Sequence, residues 1–450
     1  MTNTLYLPEL REMLAENNAA ELREFCQALH PARTAEFMEG LTAPEMWAVL
    51  QYAEPQLRVE IFNFLDREKQ IKIVETMDRH EIAQLISDLP PDDRVDLLDE
   101  VKPEIVAELM PLLPVEERRD IQRLSSFPEQ SAGAIMTTEF ARLSENLTVR
   151  QAVEEIARQA ESLETIYYLY VVDEEDHLRG LVSARQLVSA IGKPDTRIGE
   201  IMERDLVTVN LLDDQEAVAE KVAHYDLLAI PVVDDEWRLV GIITHDDVID
   251  VMREEAVEDA YHSGAVYPLE KSYLETRLVT LTWKRGLWLT ILFFGALVTI
   301  FTLNHHEGVI KTIPWLVFFL PLIVSTGGNS GNQSATLIIT ALSAGDVSLG
   351  DWWRVIRREL VMGVMLGGSL GAIGYLIALP LAPGYGDAIV IPITILLVVM
   401  CGTLAGSLLP LLFRRMGLDP ALMSNPFVAG LIDVLGIIIY MNVAILLLDH

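Results

Sequence analysis

YLYVVDEEDHLRGLVSARQLV, residues 168–188, recurs 61 residues later in the chain as AIPVVDDEWRLVGIITHDDVI, residues 229–249. Each copy contains an apolar strand, an acidic turn, a second apolar strand led by glycine, and then a helix. A further helical pattern precedes each copy. The sequence therefore predicts two β-α-β units of similar structure within residues 131–252, divided into 131–198 and 199–252.

These two units resemble a pair of CBS domains, an α/β fold that usually works as a regulatory module. In CBS domains that bind nucleotides, a Ser or Thr and an Asp at the spacing of Thr244 and Asp247 hold ribose and phosphate, so the resemblance implies an ATP site. A hydroxyl and a carboxylate three residues apart also cap helices, and both alternatives stay open. The first unit has Ser183 and Gln186 there, so at most one good nucleotide site is expected.

An apolar residue recurs every twelve positions in the N-terminal part of the chain. The repeated positions are Leu29, Leu41, Ala53, Leu65, Met77, Leu89, Val101 and Leu113. Asp, Pro or Thr often follows this position, as at the start of a helix. One short helix per repeat predicts an α-helical solenoid over residues 1–130, unless the spacing of common leucines is coincidental.

The negative charge of the chain is concentrated in its first 270 residues, which hold 57 acidic and 24 basic side chains. The remaining residues hold 9 acidic and 10 basic side chains. Such an acidic half is a poor nucleic-acid binder, because phosphate binding needs clustered Lys and Arg, and we predict no nucleic-acid partner. It is suited to binding cations, or simply to keeping the protein soluble. We also find no secretory signal, no disulfide framework and no enzyme motif, and we predict a protein that is not an enzyme.

Five apolar runs follow, and each is long enough to span a lipid bilayer. They cover roughly 286–303, 313–342, 360–381, 388–413 and 421–448, which predicts a five-helix transmembrane domain over 281–450. Basic residues cluster at 284–285, 354–358 and 414–415, on alternate connections. By the positive-inside rule the acidic half is cytoplasmic and the C-terminus at His450 faces outward.

Asp433 is the only charged residue between Ala421 and Leu448. A carboxylate inside a spanning helix costs about 3 kcal/mol or more and indicates a functional site. Helical spacing places Asn425, Ala429 and Gly436 on its face, as a pore lining would require. No basic residue lies deep in the apolar runs, so Asp433 needs a proton, water or a metal ion. Two copies in a homodimer would balance a divalent cation on the two-fold axis.

The stretch DDVIDVMREEAVEDAYHSGAV, residues 246–266, places many carboxylates on one predicted helix, whose connecting part we assign to 253–280. Like charges at i, i+4 destabilise a helix. A second acidic group occurs in the same module at 213–226. A charge run is normally a solvated helix face, but carboxylates held this close also suit Mg²⁺ or Ca²⁺.

STGGNSGNQSATL, residues 325–337, combines three glycines that permit close helix packing with three amides that can bond across helices. These residues are Gly327, Gly328, Gly331, Asn329, Asn332 and Gln333. Together with LDPALMSNP (418–426) and DVLGIIIY (433–440), this stretch closely resembles the MgtE family of bacterial Mg²⁺ channels. The resemblance covers nearly the whole chain, in the order solenoid, CBS pair, connecting helix and membrane helices.

The resemblance implies a homodimeric, Mg²⁺-selective channel in the plasma membrane, the inner membrane of a bacterium, with Asp433 as the pore acid. It also implies that cytosolic Mg²⁺, bound among the acidic domains, closes the pore with the connecting helix as a plug, and that ATP can bind the CBS pair. By position, the regulatory acids would be Asp92, Asp93, Asp96, Asp214, Glu216, Asp226, Asp247, Asp250, Glu255, Glu258, Asp259 and Asp419. Two other functions remain open: a carrier coupled to H⁺ or Na⁺, and a membrane-anchored nucleotide sensor.

Overall fold

The structure is a computed structural model that describes residues 6–160, 163–269, 273–274, 276–420 and 425–448. Its chain divides into two compact units, Met1–Met252 and Arg253–His450, which we describe separately. Residues 421–424 of the LDPALMSNP motif and the C-terminal His450 lie outside the described residues.

Ten helices form the N-terminal part of the first unit. They are α1 (Leu7–Ala15), α2 (Ala19–Ala28), α3 (Pro31–Met38), α4 (Ala43–Leu50), α5 (Pro55–Asn63), α6 (Arg67–Thr76), α7 (Arg79–Asp88), α8 (Pro91–Glu100), α9 (Pro103–Leu109) and α10 (Val115–Leu124). From α3 to α10, each helix starts twelve residues after the one before, which confirms the predicted period.

Local residues explain where these helices begin. Pro occupies one of the first two positions of α3, α4, α5, α8 and α9, where its missing N–H leaves no hydrogen bond unmade. Asp66 and Asp78 accept backbone N–H groups at the starts of α6 and α7. Alternate helices pack together, α3 on α5 on α7 and α4 on α6 on α8, as in the predicted solenoid.

The two β-α-β units follow. The first contains β1 (Phe140–Ser144), α11 (Val149–Gln159), β2 (Thr165–Val172), β3 (Leu178–Ser183), α12 (Ala184–Ala190) and α13 (Ile198–Ile201). The second contains β4 (Val209–Asn210), α14 (Gln215–His224), β5 (Ala229–Val233), β6 (Leu239–Thr244) and α15 (His245–Ser263). Each unit has a three-stranded sheet with one parallel and one antiparallel pair. Tyr170 pairs with Leu181 as Pro231 pairs with Ile242, so the 61-residue repeat extends to strand register.

The solenoid and the second β-α-β unit share one apolar core. Val218, Ile230 and Val248 of the second unit belong to the same buried cluster as the solenoid leucines. The segment between them is also held on the second unit, because the N–H groups of Ala132 and Gly133 donate to the carbonyls of Asp213 and Leu211. The N-terminal end of α15 is therefore fixed close to the solenoid.

In its described residues, the C-terminal unit contains the end of α15, five long α-helices and one short one. They are α16 (Leu278–His305), α17 (Glu307–Thr312), α18 (Leu320–Ser343), α19 (Trp352–Ala378), α20 (Val390–Arg415) and α21 (Asn425–Leu448). Four stretches of the described chain are long and apolar enough to cross a membrane: Leu278–His305, Leu349–Ala378, Asp387–Arg415 and Asn425–Leu448. The remaining long helix, α18, has 24 residues but carries the polar stretch, and it packs against α20 and α21. The protein is a multi-pass membrane protein.

Helices α18 and α20 pack with their backbones in direct contact. A Cβ atom added at Gly406 would lie 2.1 Å from the carbonyl oxygen of Gly331, and one at Gly402 would lie 2.6 Å from that of Gly327. Only glycine permits this approach. The expectation that Gly327 and Gly331 serve close helix packing agrees with this geometry.

The connecting helix differs from the expected range of 253–280. It is the C-terminal part of α15, which begins at His245 and ends at Ser263. The end has a physical cause: Ala265 has a left-handed backbone with φ 56°, and the N–H of Val266 returns to the carbonyl of Tyr261. The described residues 264–269 are not helical, and 270–272 and 275 lie outside the described residues.

Candidate cation sites

Asp433 lies on α21, eight residues after the helix begins at Asn425. Its side chain is half-buried, and no hydrogen bond or ion pair reaches it from the described part of the protomer. It faces Gly328 of α18, where an added Cβ atom would lie 3.5 Å from Asp433 Oδ1 and 3.5 Å from the Cβ of Ala429. The carboxylate therefore lies against a glycine surface that offers it no hydrogen-bonding side chain.

The other residues predicted to line a pore divide into two groups. Asn425 lies at the same surface as Ala429, and its Oδ1 accepts a hydrogen bond from Thr336 Oγ1 over 3.3 Å. Gly436 is instead buried against Val398 of α20. One turn further on, Tyr440 is fully buried and donates to a backbone carbonyl. The protomer thus packs Gly436 between helices, which corrects its expected place on an open lining surface.

The three amides of α18 do not bond across helices as expected. Asn329 is exposed and donates to Ser325 of its own helix, and Gln333 is also exposed. The Oδ1 atom of Asn332 is buried and has no hydrogen-bond partner among the described residues. Polar contacts between the described membrane helices come instead from other residues, such as Thr336 with Asn425 and Ser334 with Glu359.

A dense group of carboxylates lies where α8 of the solenoid meets the two β-α-β units. Asp92, near the start of α8, interacts with Asp247 of α15 and with Glu164, which directly precedes β2. Asp93 interacts with Asp246 and Asp250 on the first turns of α15. We call this arrangement of α8, α15 and the residue before β2 the acidic seam: Asp92, Asp93, Glu164, Asp246, Asp247 and Asp250.

The acidic seam is electrostatically unfavourable with all its carboxylates ionised. Burial, followed by the charges of the neighbouring acids, raises the pKa of Asp92 well above its usual value and that of Glu164 to about 7. Burial likewise raises the pKa of Asp247 to about 6. Asp92 is 8% exposed, and its Oδ1 has no hydrogen-bond partner among the described residues. A buried, unpaired carboxylate oxygen of this kind requires a proton or a cation.

Thr244 and Asp247 adopt the capping arrangement. The Thr244 hydroxyl donates to Asp247 Oδ2 over 2.6 Å, and the Thr244 N–H donates to the same atom over 3.3 Å. Ser183 and Gln186 form the equivalent pair of hydrogen bonds at the start of α12. Capping therefore accounts for the local geometry in both units, and nucleotide binding at Thr244 and Asp247 stays a prediction.

The remaining predicted acids of the first unit lie on its surface. Asp214 caps α14 by accepting from the N–H of Glu216, and both side chains are exposed. Asp226 is exposed with a left-handed backbone, φ 51°, just after α14. Asp96 is exposed on α8. These four acids stay predictions as cation ligands.

A separate group of acids lies where the C-terminal part of α15 meets the segment that follows α20, and we call it the connecting-helix acids: Glu255, Glu258, Asp259 and Asp419. His262 Nδ1 lies 3.2 Å from Asp419 Oδ2, and His262 Nε2 lies 3.7 Å from Glu258 Oε1. Burial, followed by Asp419 and Glu255, raises the pKa of Asp259. The structure thus brings together Asp419 and the acids of the connecting helix, as expected, and adds an imidazole that the sequence reading missed.

Metal ligands are not preformed in the described residues of the acidic seam or of the connecting-helix acids. In the described ranges, no three His, Cys, Asp or Glu side chains already form a set of ligands for one ion. The adjacent His305 and His306 have ring centroids 5.1 Å apart, and Glu307 pairs with Lys311. Glu164 carried no sequence signal, since it lies alone between a helix and a strand.

Comparison with known families identifies matches along most of the chain. The MgtE model, described as a divalent cation transporter, matches residues 320–443, and the MgtE intracellular N domain matches 29–130. The CBS domain model matches 132–193 and 198–254.

Similar proteins named magnesium transporter MgtE occur in several bacteria. The one from Thermus thermophilus is 40% identical over 98% of this chain and 98% of its own length. The one from Enterococcus faecalis is 36% identical over 97% of this chain and 95% of its own length. Together with the three family matches, these similarities cover both units of the structure.

Two solved structures resemble the N-terminal part of the chain, which contains the solenoid and both β-α-β units. The soluble part of a magnesium transporter has a TM-score of 0.52 and 35% identity, and covers 55% of this chain and 97% of its own. The cytosolic domain of the Mg²⁺ channel MgtE in complex with ATP has a TM-score of 0.50 and 36% identity, and covers 54% of this chain and 98% of its own.

Proposed function

Because the chain belongs to the MgtE family of divalent cation transporters, we propose that it is a Mg²⁺-selective channel for uptake across the plasma membrane. The observation that carries this proposal is Asp433. Its carboxylate lies within a membrane helix, has no basic partner among the described residues, and faces the glycine surface at Gly328. Such a carboxylate can interact with a cation that keeps its water shell, which is how Mg²⁺ is often bound.

The proposed assembly is a homodimer with Asp433 of both subunits beside a shared two-fold axis. One carboxylate cannot balance a divalent ion, whereas two can. The exposed amides Asn329 and Gln333 and the contact between Thr336 and Asn425 would then border the same path. In the proposed orientation, the basic ends of α16, α19 and α20 lie on the cytoplasmic side with the acidic half.

The acidic seam is proposed as part of a sensor for cytosolic Mg²⁺. The buried, unpartnered Oδ1 of Asp92 fits this role, because the seam can pack without repulsion only when its charge is neutralised. Asp93, Asp247 and Asp250 would share the bound charge. When cytosolic Mg²⁺ falls, repulsion between α8 and α15 favours separation of the solenoid from the CBS pair, and the pore opens.

The connecting-helix acids are proposed to link this sensor to the membrane domain. Glu258 and Asp259 of the connecting helix lie near Asp419, four residues after α20 ends. Neutralising these carboxylates would hold the connecting helix as a plug. ATP binding in the CBS pair is a further part of the proposal, supported by the similarity to a cytosolic domain solved with ATP.

The decisive experiment compares Mg²⁺ uptake by wild type and Asp433→Asn at low and at high internal Mg²⁺. We expect wild type to conduct only at low internal Mg²⁺ and Asp433→Asn to conduct little at either. A coupled carrier is the second candidate, since a half-buried carboxylate can also carry a proton. Discrete single-channel openings without an H⁺ or Na⁺ gradient would exclude the carrier. Unchanged uptake by Asp433→Asn would contradict both.

A further inference from the structure

Glu359 is a second carboxylate inside the membrane unit, and the proposed mechanism does not use it. It lies on α19, seven residues after that helix begins at Trp352, and directly follows the basic residues Arg357 and Arg358. At about 1.5 Å per residue it is ~10 Å from the start of the helix, just before the apolar run that begins at residue 360. A partly buried carboxylate between packed helices calls for a named partner.

The partner is Ser334 of α18. The Ser334 hydroxyl donates a hydrogen bond to Glu359 Oε2 over 2.7 Å, and Ser334 is only 5% exposed. Thr403 of α20, 1% exposed, places its hydroxyl 3.3 Å from the backbone oxygen of Glu359. No ion pair reaches Glu359 from the described residues of the protomer. Glu359 therefore connects three helices through hydrogen bonds alone.

Glu359 does not lie on the path that Asp433 would line. Thr336 contacts Asn425 of α21, and Ser334 precedes it by two residues, which is about 200° around an α-helix. Ser334 and Glu359 thus lie behind α18, on the side away from that contact. Glu359 is therefore not placed to act as a second pore acid beside Asp433. It can still act on the proposed path through the position of α18.

The position of α18 matters because its front surface faces the pore acid. Gly328, six residues before Ser334, lies against Asp433. The glycine contacts of α18 with α20 at Gly402 and Gly406 set how close the two helices come. The hydrogen bond from Ser334 to the Glu359 carboxylate is directional, so it adds a constraint on the rotation of α18 to the close packing at these glycines.

We propose that Glu359 is a positioning residue for cation selectivity, which holds α18 from behind through Ser334 and so fixes the surface at Gly328 opposite Asp433. The inference rests on the proposed channel function. It goes beyond that function in placing a determinant of selectivity on a helix face that the cation never meets.

The test uses the full chain in liposomes and measures Mg²⁺ flux and Ca²⁺ flux per inserted protein, together with the Tm of each variant. The variants are Glu359→Ala, Glu359→Gln, Ser334→Ala and the double variant Ser334→Ala/Glu359→Ala. Ser369→Ala on α19 is the matched control, because Ser369 is exposed and bonds only within its own helix.

We expect Glu359→Ala to lower the ratio of Mg²⁺ to Ca²⁺ flux about tenfold, as loss of residues that orient a metal-binding group commonly does. Ser334→Ala shifts the ratio in the same direction, and the double variant is no worse than Glu359→Ala alone. Glu359→Gln restores most of the selectivity, since its amide oxygen still accepts from Ser334. Ser369→Ala behaves as wild type.

An unchanged flux ratio per inserted protein in Glu359→Ala and Ser334→Ala, even with a lower Tm, would overturn the inference and leave Glu359 a packing residue. Strictly additive effects in the double variant would overturn it as well. Should Glu359→Ala fail to insert, Ser334→Ala and Glu359→Gln decide by the same ratio. Asp433→Asn, measured in parallel, distinguishes failure of this inference from failure of the proposed channel function. A wild-type Mg²⁺ flux in that variant would refute the channel proposal itself.

Discussion

Asn63 Nδ2 donates a hydrogen bond to Asp93 Oδ2 over 2.6 Å, so α5 holds a carboxylate of α8 on the side that faces Asp246 and Asp250. The solenoid thus fixes its acids toward α15 although like charges face them. Asp93 also lines a cavity of about 180 Å³ with Arg67, whose charge favours the ionised form of Asp93. The carboxylates of the acidic seam therefore need protons or cations to offset their mutual repulsion.

Neutralising Asp92 should make docking of the solenoid independent of divalent cations. Asp92→Asn keeps the shape of the side chain and removes one of the buried charges that repel Asp247 and Glu164. We expect the segment 125–130, which is mostly exposed, to be cleaved by proteases more slowly than in wild type when EDTA is present.

Asp96→Asn is the control for this variant, since Asp96 is exposed on the same helix. Its cleavage in EDTA should equal that of wild type. Faster cleavage of Asp92→Asn than of wild type in EDTA would show that the Asp92 charge does not oppose docking.

Acid should replace divalent cations in holding the seam together. The pKa of Glu164 is raised from 4.5 to about 7 and that of Asp247 from 3.8 to about 6, so the docked form binds protons that the separated form releases. Docking is then fully favoured below about pH 4 and weakens as pH rises toward about 7. Cleavage of the segment 125–130 in EDTA, followed from pH 5 to pH 8, should accelerate over this interval.

Added Mg²⁺ should slow cleavage at pH 8 to nearly the rate seen at pH 5, because the cation then supplies the neutralising charge. A cleavage rate that is flat between pH 5 and pH 8 in EDTA would mean that Glu164 and Asp247 do not titrate between the two forms. The protease activity itself must be calibrated on an unfolded substrate at each pH.

Gly406→Ala should destabilise the membrane unit. The added methyl would lie 2.1 Å from the Gly331 carbonyl, so α18 and α20 must separate. Overpacking of this kind costs about 1–3 kcal/mol, and more where backbone must move. We expect a clearly lower Tm of the purified protein in detergent. Gly368→Ala is the matched control, since an added Cβ there meets nothing within 4 Å, and its Tm should be unchanged or higher.

Thr244→Val should separate capping from nucleotide binding. The substitution removes the hydroxyl that donates to Asp247 at the start of α15, and loss of one such hydrogen bond costs about 1 kcal/mol. If ATP binds there as predicted, isothermal titration should show its affinity falling in Thr244→Val. Ser183→Ala removes the equivalent cap of α12 and should lower stability without changing ATP affinity. Equal ATP affinity in both variants would leave Thr244 a helix cap only.

What the sequence determined by itself is local. The twelve-residue spacing of helix starts, the 61-residue repeat of strand register and the apolar lengths of the membrane helices depend on residues close together in the chain, whose capping and periodicity act over a few positions. Asp433 could be singled out for the same reason, since a charge in an apolar run needs no knowledge of its neighbours.

Tertiary structure alone decided which polar groups meet. Glu164 joins Asp92 across more than 70 residues, Glu359 finds Ser334 on another helix, and His262 meets Asp419 across 157 residues. These pairings, and the burial of Gly436, depend on how helices rotate against one another. Packing sets that rotation through close contacts such as that of Gly406, and no periodicity within a single helix specifies it.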